Sequence, residues 1–246
     1  QVASIFRPSV DEAWQKASSK RGLASRSAPK NSEAVGVLLD DAAVVRFMRF
    51  MRRKSQDFKW QAQIALEAAS APDLERWLEN DDFGFNGTLE LNPDLSIPDY
   101  YSEGFHHQPD GYAGSPLSGL SYDLGLDISF PTLQSNGVAL HVPQTDYKRI
   151  LDLGCGSGRS TEGYATRFSE ATVWGIDPSE PMLRLASKRA AERGLGINFR
   201  QATAEQTKFP DGYFGLVSAT ILFHEVPKEG SRKIIGEAFR VLDHGG

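Results

Sequence analysis

The chain has 246 residues, of which 40% are hydrophobic and 24% charged, so it has the composition of an ordinary folded protein with enough apolar material for a buried core. No apolar stretch approaches the roughly 20 residues that a helix needs to cross a bilayer, which excludes a membrane span. The single cysteine, Cys155, excludes an intramolecular disulfide and a cysteine-based zinc site. Because this cysteine usage fits a reducing compartment, we expect a cytoplasmic protein.

The net charge of −5 is unevenly distributed along the chain. Residues 1–60 carry 12 Lys or Arg against 6 Asp or Glu, whereas residues 61–130 carry 1 against 13. The acidic middle argues against a basic groove for nucleic acid. We therefore expect a small-molecule partner and no nucleic acid, and the pattern predicts no particular oligomeric state.

The first 80 residues are predicted to be mostly helical, with a linker over 23–32. Helices are predicted over 9–20, from about 32 onward, over 59–69 and over 73–79. The second of these mixes apolar residues with arginines, which suits packing against a partner helix or lying at a membrane interface. Pro72 is expected to mark the start of the last one.

Residues 81–114 are rich in Gly, Pro, Asn and Asp, which predicts an irregular connection. Aromatic residues are too dense here for a disordered tail, so we expect the segment to lie against the main domain. Long connections of this kind are often lids. Tyr101, His106 and Tyr112 are the candidates to close over a ligand, and a helix over 116–128 follows.

The sequence "ILDLGCGSGRS" at 150–160 places three glycines, Gly154, Gly156 and Gly158, directly after a short apolar strand. Glycine is needed where φ is positive or where a Cβ would collide with a close neighbour. A plain strand-to-helix turn needs only one glycine. The cluster therefore indicates a backbone that lies against a bound molecule.

The spacing of these glycines separates two kinds of nucleotide site. The dinucleotide pattern G-x-G-x-x-G requires a third glycine where this chain has Arg159. With Asp152 two places ahead of the first glycine, the stretch instead resembles motif I of the class I S-adenosylmethionine (SAM)-dependent methyltransferases. The resemblance implies that Asp152 and the loop, with Cys155 as a small filler, hold the methionine part of SAM as cofactor.

The chain after the loop alternates between strands and helices, as a doubly wound sheet requires. Elements are predicted in the order helix 159–168, strand 171–176, helix 181–193, strand 197–201, strand 216–219 and helix 228–241. Asp177 closes the second strand, 23 residues after Gly154, where a carboxylate can accept hydrogen bonds from both ribose hydroxyls. It could instead cap the next helix.

Two further segments extend the resemblance. "VWGIDPSEPML" at 173–183 resembles the second motif, which implies that Pro178 and Met182 flank the sugar and base. In "ATAEQTKFP" from 202, Thr203 stands where related enzymes usually have the aspartate that binds adenine. The adenine contact is therefore expected at Ala204 and Glu205.

The segment "ILFHEVP" at 221–227 follows the last predicted strand, at the edge of the sheet where ligands bind. This position makes His224 and Glu225 the candidates near the transferred methyl group and the acceptor. His224 could accept a proton from the acceptor as the catalytic residue, or it could only orient the loop. Methyl transfer from SAM is an in-line displacement that depends on alignment of the two reactants. It needs a base only when the acceptor is protonated.

No metal site is expected from the sequence. His106 and His107 are adjacent, His141 is far from them in the chain, and adjacent residues seldom ligate one ion. No H-E-x-x-H motif or cysteine pair is present.

The resemblance covers roughly residues 146–246 and implies an α/β fold, a Rossmann-like class I methyltransferase sheet, apparently truncated after the fourth strand region. We expect an N-terminal, mainly helical extension or lid over 1–130, a SAM-binding core over 131–246, and a fragment of a longer protein. The implied function is SAM-dependent methylation of a small molecule. The alternatives are a SAM-binding or partner-binding module without catalysis and, less favoured, an NAD-dependent oxidoreductase.

Overall fold

The computed structural model describes residues 12, 43–79, 84, 86–102, 106, 108, 111–129 and 137–246. The chain forms two compact units, residues 1–59 and 60–246. The described part of the first unit is helical from residue 43, with the Lys54 ammonium 3.3 Å from the Asp57 carboxylate. Apart from Glu12, the helix predicted over 9–20 and the linker after it lie outside the described residues.

Strands and helices alternate from residue 149 to residue 201, after a mainly helical first part of the chain. The elements are helix α1 (Ala43–Glu79), strand β1 (Leu89–Glu90), a 3-10 helix (Asp99–Ser102), α2 (Ser118–Ser129), a second 3-10 helix (Ala139–His141), β2 (Arg149–Leu153), α3 (Arg159–Arg167), β3 (Thr172–Asp177), α4 (Glu180–Glu192), β4 (Ile197–Gln201), β5 (Leu216–Ser218) and α5 (Lys228–Val241). No helix in the described ranges is both long enough and apolar enough to cross a membrane.

The five strands form one parallel sheet in the order β1-β4-β3-β2-β5. From β2 the chain winds outward through β3 and β4, and then returns to place β5 on the other side of β2. This reversal of direction puts a crevice beside the carboxyl end of β2, where open α/β sheets bind ligands. The predicted Rossmann-like α/β fold is confirmed.

The strands and helices after residue 149 follow the prediction closely, but two regions before it differ. α1 is one continuous helix where three were predicted, and it runs through Pro72 because proline removes one backbone hydrogen bond while its fixed φ remains helical. β1 arises inside the segment predicted to be irregular, and Leu89 pairs with Phe199 of β4. A two-residue strand is too short to show a periodic pattern.

Both faces of the sheet are buried, which explains the nearly continuous apolar run in β2. Ile150 packs with Val173 and Leu183 on the face covered by α3 and α4. Leu151 packs on the opposite face with Ile234 of α5.

An ionic cluster ties α2 to the glycine loop and to the helices that follow it. Asp123 of α2 accepts a hydrogen bond from Ser157 Oγ at 2.7 Å and ion pairs with Arg159 and Arg189. Burial opposes ionisation of Asp123, but its bonds to Arg159, Arg189 and Ser157 hold its pKa below the usual range. Arg159, which stands where a dinucleotide site has glycine, therefore fixes the extension against the loop.

Gly158 lies at the start of α3 with φ +79°, and a Cβ there would lie 2.9 Å from Ala186 Cβ. Gly194 has φ +65°, and no atom lies within 4 Å of the position that a Cβ would take there. We expect Gly194→Ala to lower the free energy of unfolding by about 1 kcal/mol through backbone strain alone. Gly158→Ala should lower it by at least about 2 kcal/mol, because crowding adds to the strain.

Urea denaturation of both variants checks this comparison. Equal losses of stability would show that the close contact between α3 and α4 at Gly158 does not constrain the residue type.

Candidate functional site

A cavity of about 100 Å³ opens at the carboxyl ends of the strands, beside the loop that follows β2. Eight of the residues predicted to bind the cofactor line it: Gly154, Gly156, Asp177, Pro178, Met182, Thr203, Ala204 and Glu205. Four of the residues predicted near the acceptor or in the lid line it as well: Tyr101, Tyr112, His224 and Glu225. The sheet topology thus brings residues from distant parts of the sequence to one crevice.

The three glycines of the loop have φ values of +65°, +51° and +79° in chain order. At Gly154 a Cβ would lie 2.8 Å from Leu222 Cδ1, in the segment after β5. At Gly158 the close neighbour is Ala186 of α4. These two glycines allow other parts of the protein to approach the loop, so they position the site by packing.

Gly156 has a different role because its bare backbone faces the cavity. The nearest atom to a Cβ placed there is Tyr122 Cε1, at 3.7 Å. The amide of Gly156 donates a hydrogen bond to Asp177 Oδ2 at 3.0 Å. The loop after β2 is therefore joined directly to the end of β3.

Asp177 is buried, and its carboxylate is held by three donors. Oδ2 accepts the Gly156 bond, and Oδ1 accepts from the Ser179 amide at 2.9 Å and from the Tyr101 hydroxyl at 3.2 Å. Burial raises the pKa of Asp177 to about 6, although these hydrogen bonds oppose the shift. The cap of α4 is Ser179, whose Oγ accepts from the Met182 amide, so Asp177 does not serve as the helix cap.

Asp152, Cys155 and Gly158 lie behind the cavity wall rather than on it. Asp152 is fully buried and accepts hydrogen bonds from Ser160 Oγ at 2.6 Å and Thr161 Oγ1 at 2.8 Å, which fixes the first turn of α3. The Cys155 amide donates to a carbonyl of β3, and burial raises the pKa of its thiol. We conclude that these residues support the loop from below.

The Asp152 carboxylate keeps unused hydrogen-bonding capacity. Burial raises its pKa to about 6. The Ser218 hydroxyl lies near this carboxylate, but Asp152 Oδ1 has no well-formed hydrogen bond within the described ranges. A buried acceptor of this kind favours a cationic or hydrogen-bond-donating group on the other side of the loop.

Glu205 and Thr203 form the far end of the cavity. Glu205 Oε1 accepts a hydrogen bond from the Tyr100 hydroxyl at 2.6 Å, and burial followed by the Glu205 contact raises the pKa of Tyr100. The chain makes a turn at Thr203, where the Gln206 amide donates a hydrogen bond to the Thr203 carbonyl at 3.1 Å. Tyr100 was not predicted as a site residue, although its neighbour Tyr101 was.

Three tyrosines cover the cavity. Tyr112 lies between Tyr101 and Tyr122, with ring centroids 5.7 and 5.6 Å away in edge-to-face arrangements. Burial raises the pKa of all three, so their hydroxyls remain protonated at neutral pH. Tyr122 comes from α2, where nothing in the sequence pattern indicates that its ring lies over the glycine loop.

A cluster of two histidines and a glutamate lies at the edge of the cavity. His106 Nε2 is 2.9 Å from Glu225 Oε1 and 3.1 Å from His224 Nε2. The Tyr112 hydroxyl donates to the same Glu225 oxygen at 2.9 Å. Burial opposes ionisation of Glu225, but the hydrogen bonds from His106 and Tyr112 lower its pKa.

The turn that carries His224 is strained. Ile221 has φ +59°, which is rare for a β-branched residue, and its carbonyl contacts His224 Nδ1. Strained backbone at a site is held in place by the surrounding structure. Of the other histidines in the sequence-based analysis, His107 lies outside the described residues, and His141 is exposed in the second 3-10 helix.

Comparisons with known proteins find similarity over the part of the chain that carries the glycine loop and Asp177. A family model described as a methyltransferase domain matches residues 150–246. A demethylmenaquinone methyltransferase of Thermus thermophilus is 39% identical over 99 residues, which are 40% of this chain and 44% of that protein. A ubiquinone biosynthesis O-methyltransferase of Pseudomonas aeruginosa is 36% identical over 100 residues, which are 40% of this chain and 41% of that protein.

The solved structure of the YcgJ protein from Bacillus subtilis aligns with a TM-score of 0.41 and 29% identity, covering 46% of this chain and 47% of that one. The chain spans less than half the length of the relatives that it matches. The family match begins within β2, includes the glycine loop and ends after α5. Through residues 150–246, this chain is similar to SAM-dependent methyltransferases of class I.

Proposed function

We propose that this chain binds SAM in the cavity beside β2 and transfers its methyl group to a small-molecule acceptor. One observation carries the proposal: the Asp177 carboxylate at the end of β3 lines the same cavity as the bare backbone of Gly156. A glycine loop after one strand and an acidic side chain at the end of the next is the arrangement by which such sheets hold an adenosyl ribose.

The lining residues fit the parts of this cofactor in order. Gly154 and Gly156 would hold the methionine part, and Asp177 would accept hydrogen bonds from the ribose hydroxyls. Pro178 and Met182 would flank the sugar and base. The adenine would lie against Thr203, Ala204 and Glu205.

The charge of the cavity supports a cationic ligand. Its described lining includes the carboxylates of Asp177, Glu205 and Glu225 and contains no lysine or arginine. A sulfonium and an ammonium group would both be stabilised by these charges. A phosphorylated cofactor such as NAD would be repelled, which adds to the mismatch at Arg159.

The tyrosines restrict access to the site. The cavity of about 100 Å³ is smaller than the roughly 300 Å³ or more expected for a cofactor pocket. The Tyr101 hydroxyl also bonds the carboxylate oxygen that a ribose hydroxyl would use. We infer that Tyr101 and Tyr112 shift when the ligand enters and then cover it.

His224 is the proposed base for a protonated acceptor. SAM supplies an already activated methyl group, so the main task of the protein is alignment in a site that excludes water. The Nδ1 contact of His224 with the Ile221 carbonyl requires a proton on Nδ1. In the neutral ring Nε2 is then the acceptor, directed toward the His106 and Glu225 side of the cavity.

The lining of the cavity and the single cysteine bear on the acceptor and on the cell compartment. The acidic lining suits a small neutral or cationic acceptor and not a nucleic acid. The buried position of Cys155 fits a protein of the cytoplasm.

Two measurements test the proposed function as a whole. Calorimetry of the chain with S-adenosylhomocysteine (SAH) and NAD separates the two cofactor classes, and we expect binding of SAH alone. Release of labelled methyl from SAM into a metabolite extract then tests transfer. Binding of NAD in preference to SAH would overturn the proposal.

Asp177→Asn is expected to weaken SAH binding by about tenfold to a hundredfold. The reason is that hydrogen bonds to a charged acceptor contribute roughly 1.5–3 kcal/mol. Glu180→Gln is the matched control, because Glu180 is an exposed carboxylate three residues further on that pairs with Arg184. Calorimetry that finds equal affinity for Asp177→Asn and the unmodified chain would remove Asp177 from the site.

The affinity for SAH should also depend on pH. With a pKa of about 6, Asp177 is mostly ionised at pH 7 and mostly protonated at pH 5. If only the ionised carboxylate accepts hydrogen bonds from both ribose hydroxyls, the affinity for SAH falls about tenfold from pH 7 to pH 5. Asp152 titrates in the same range, so the contribution of Asp177 is the difference between the profiles of the unmodified chain and Asp177→Asn.

Identical slopes in these two profiles would show that another group controls the pH dependence. The free energy of unfolding should change with pH in the opposite direction to the affinity for SAH. Because the folded pKa of Asp177 is raised, its contribution to the free energy of unfolding increases as the pH falls through about 6.

Tyr101→Phe removes the hydroxyl that bonds Asp177 and keeps the ring. We expect SAH to bind about three- to tenfold more tightly, because the ribose no longer displaces a hydrogen bond. Tyr122→Phe is the control, since its ring lies in the same cluster without a hydrogen bond to Asp177 among those described. Weaker binding by Tyr101→Phe would mean that this hydroxyl contacts the ligand instead of competing with it.

A further inference from the structure

The cluster at the edge of the cavity has the composition and geometry of a metal centre. We propose that His106, His224 and Glu225 bind a divalent transition-metal ion. The three ligand atoms, His106 Nε2, His224 Nε2 and Glu225 Oε1, lie within 4.8 Å of one another. His224 and Glu225 also line the same cavity as Asp177 and the glycine loop.

The distances between these atoms match those around one ion. They are 2.9 Å from His106 to Glu225, 3.1 Å from His106 to His224, and 3.4 Å from His224 to Glu225. Metal–ligand bonds of about 2.1 Å separate neighbouring ligands by about 3.0 Å in octahedral geometry and about 3.4 Å in tetrahedral geometry. An ion therefore fits between the three atoms without a large movement of any of them.

Hydrogen bonds with neighbouring groups hold each of the three ligand residues in place. His224 Nδ1 donates a hydrogen bond to the Ile221 carbonyl, so in the neutral ring Nε2 is the nitrogen that can ligate a metal. The Tyr112 hydroxyl donates to Glu225 Oε1 and orients that carboxylate. The indole N–H of the buried Trp60 donates to the His106 carbonyl at 2.8 Å and fixes the backbone there.

The donor set indicates the class of ion. Two imidazoles and one carboxylate suit zinc, iron, cobalt or nickel better than magnesium or calcium, which prefer oxygen. The side chains of His106 and His224 are 46% and 42% exposed, so an ion can reach them from solvent. Three protein ligands leave coordination positions open toward the cavity.

The sequence alone predicts no metal site, because its histidine pair, His106 and His107, and His141 do not have the spacing of ligands to one ion. The structure instead brings His106 to His224, which is 118 residues away, and a turn lets the adjacent Glu225 point to the same place. Only the folded chain shows this combination.

The site also specifies the acceptor, in an inference that rests on the proposed function. A hydroxyl oxygen bound at an open position of the ion would lose its proton to solvent more easily, so with the ion bound the metal, and not His224 as a base, would activate the acceptor. The resulting oxyanion would attack the methyl carbon while the carbon–sulfur bond of SAM breaks, and SAH would be the leaving group. The expected acceptor is therefore a phenol or enol that can ligate a metal.

Titration of the 246-residue chain with Co²⁺ and Zn²⁺ tests the site directly. We expect a visible absorption band on Co²⁺ binding and one strong Zn²⁺ site by calorimetry. His224→Ala, His106→Ala and Glu225→Gln should each weaken binding by at least about tenfold, and Tyr112→Phe by about tenfold or less. The control His141→Ala removes an exposed histidine from the second 3-10 helix and should change nothing.

Circular dichroism of the metal-free variants confirms that each remains folded. The proposal is overturned if Co²⁺ does not bind, or if it binds equally well to the unmodified chain and to His224→Ala. SAH titration of the same samples separates this outcome from failure of the proposed function. Metal binding without SAH binding would retain the site and reject the methyltransferase, and the reverse result would reject the metal site alone.

Discussion

The hydrogen bond from the Gly156 amide to Asp177 is the constraint on which the rest of the site depends. It joins the loop after β2 to the end of β3 at 3.0 Å. The parallel register of these strands brings both ends to the same edge, and only a residue without a side chain leaves the loop backbone open to the cavity. The junction therefore fixes the loop backbone and the Asp177 carboxylate against each other on one wall of the cavity.

Burial of two carboxyl groups near this junction lowers the stability of the fold. Asp152 and Asp177 are buried carboxyls whose pKa values are raised to about 6. Each raised pKa means that, at neutral pH, ionisation of the carboxyl lowers the free energy of unfolding by about 2–3 kcal/mol. A cationic ligand would offset this penalty, so ligand binding and folding stability are coupled through the same two groups.

The segments before the methyltransferase domain complete the site. α2 is fixed to the glycine loop by the ionic cluster of Asp123, and this places Tyr122 over the loop. Tyr101 and Tyr112 come from the segment before α2 and bond Asp177 and Glu225. Residues outside the matched family region therefore contribute to the lining and the cover of the cavity.

The sequence by itself determined the sheet, the glycine loop and Asp177, because strand periodicity, helix caps and glycine spacing are local signals. From their motif it also predicted a site at Thr203, Ala204 and Glu205, and all three line the cavity. The separate roles of Gly154, Gly156 and Gly158 needed the structure, since each depends on a different neighbour distant in sequence.

Only the tertiary structure decided which lid residues meet which parts of the core. Tyr122 lies over the loop because the ion pair between Asp123 and Arg159 fixes α2. β1 forms because Leu89 pairs with the edge of β4. The meeting of His106 with His224 and Glu225 depends on Trp60, on a strained residue at Ile221 and on the order of the strands. Long-range packing sets such contacts, and no periodic or local pattern in the chain records them.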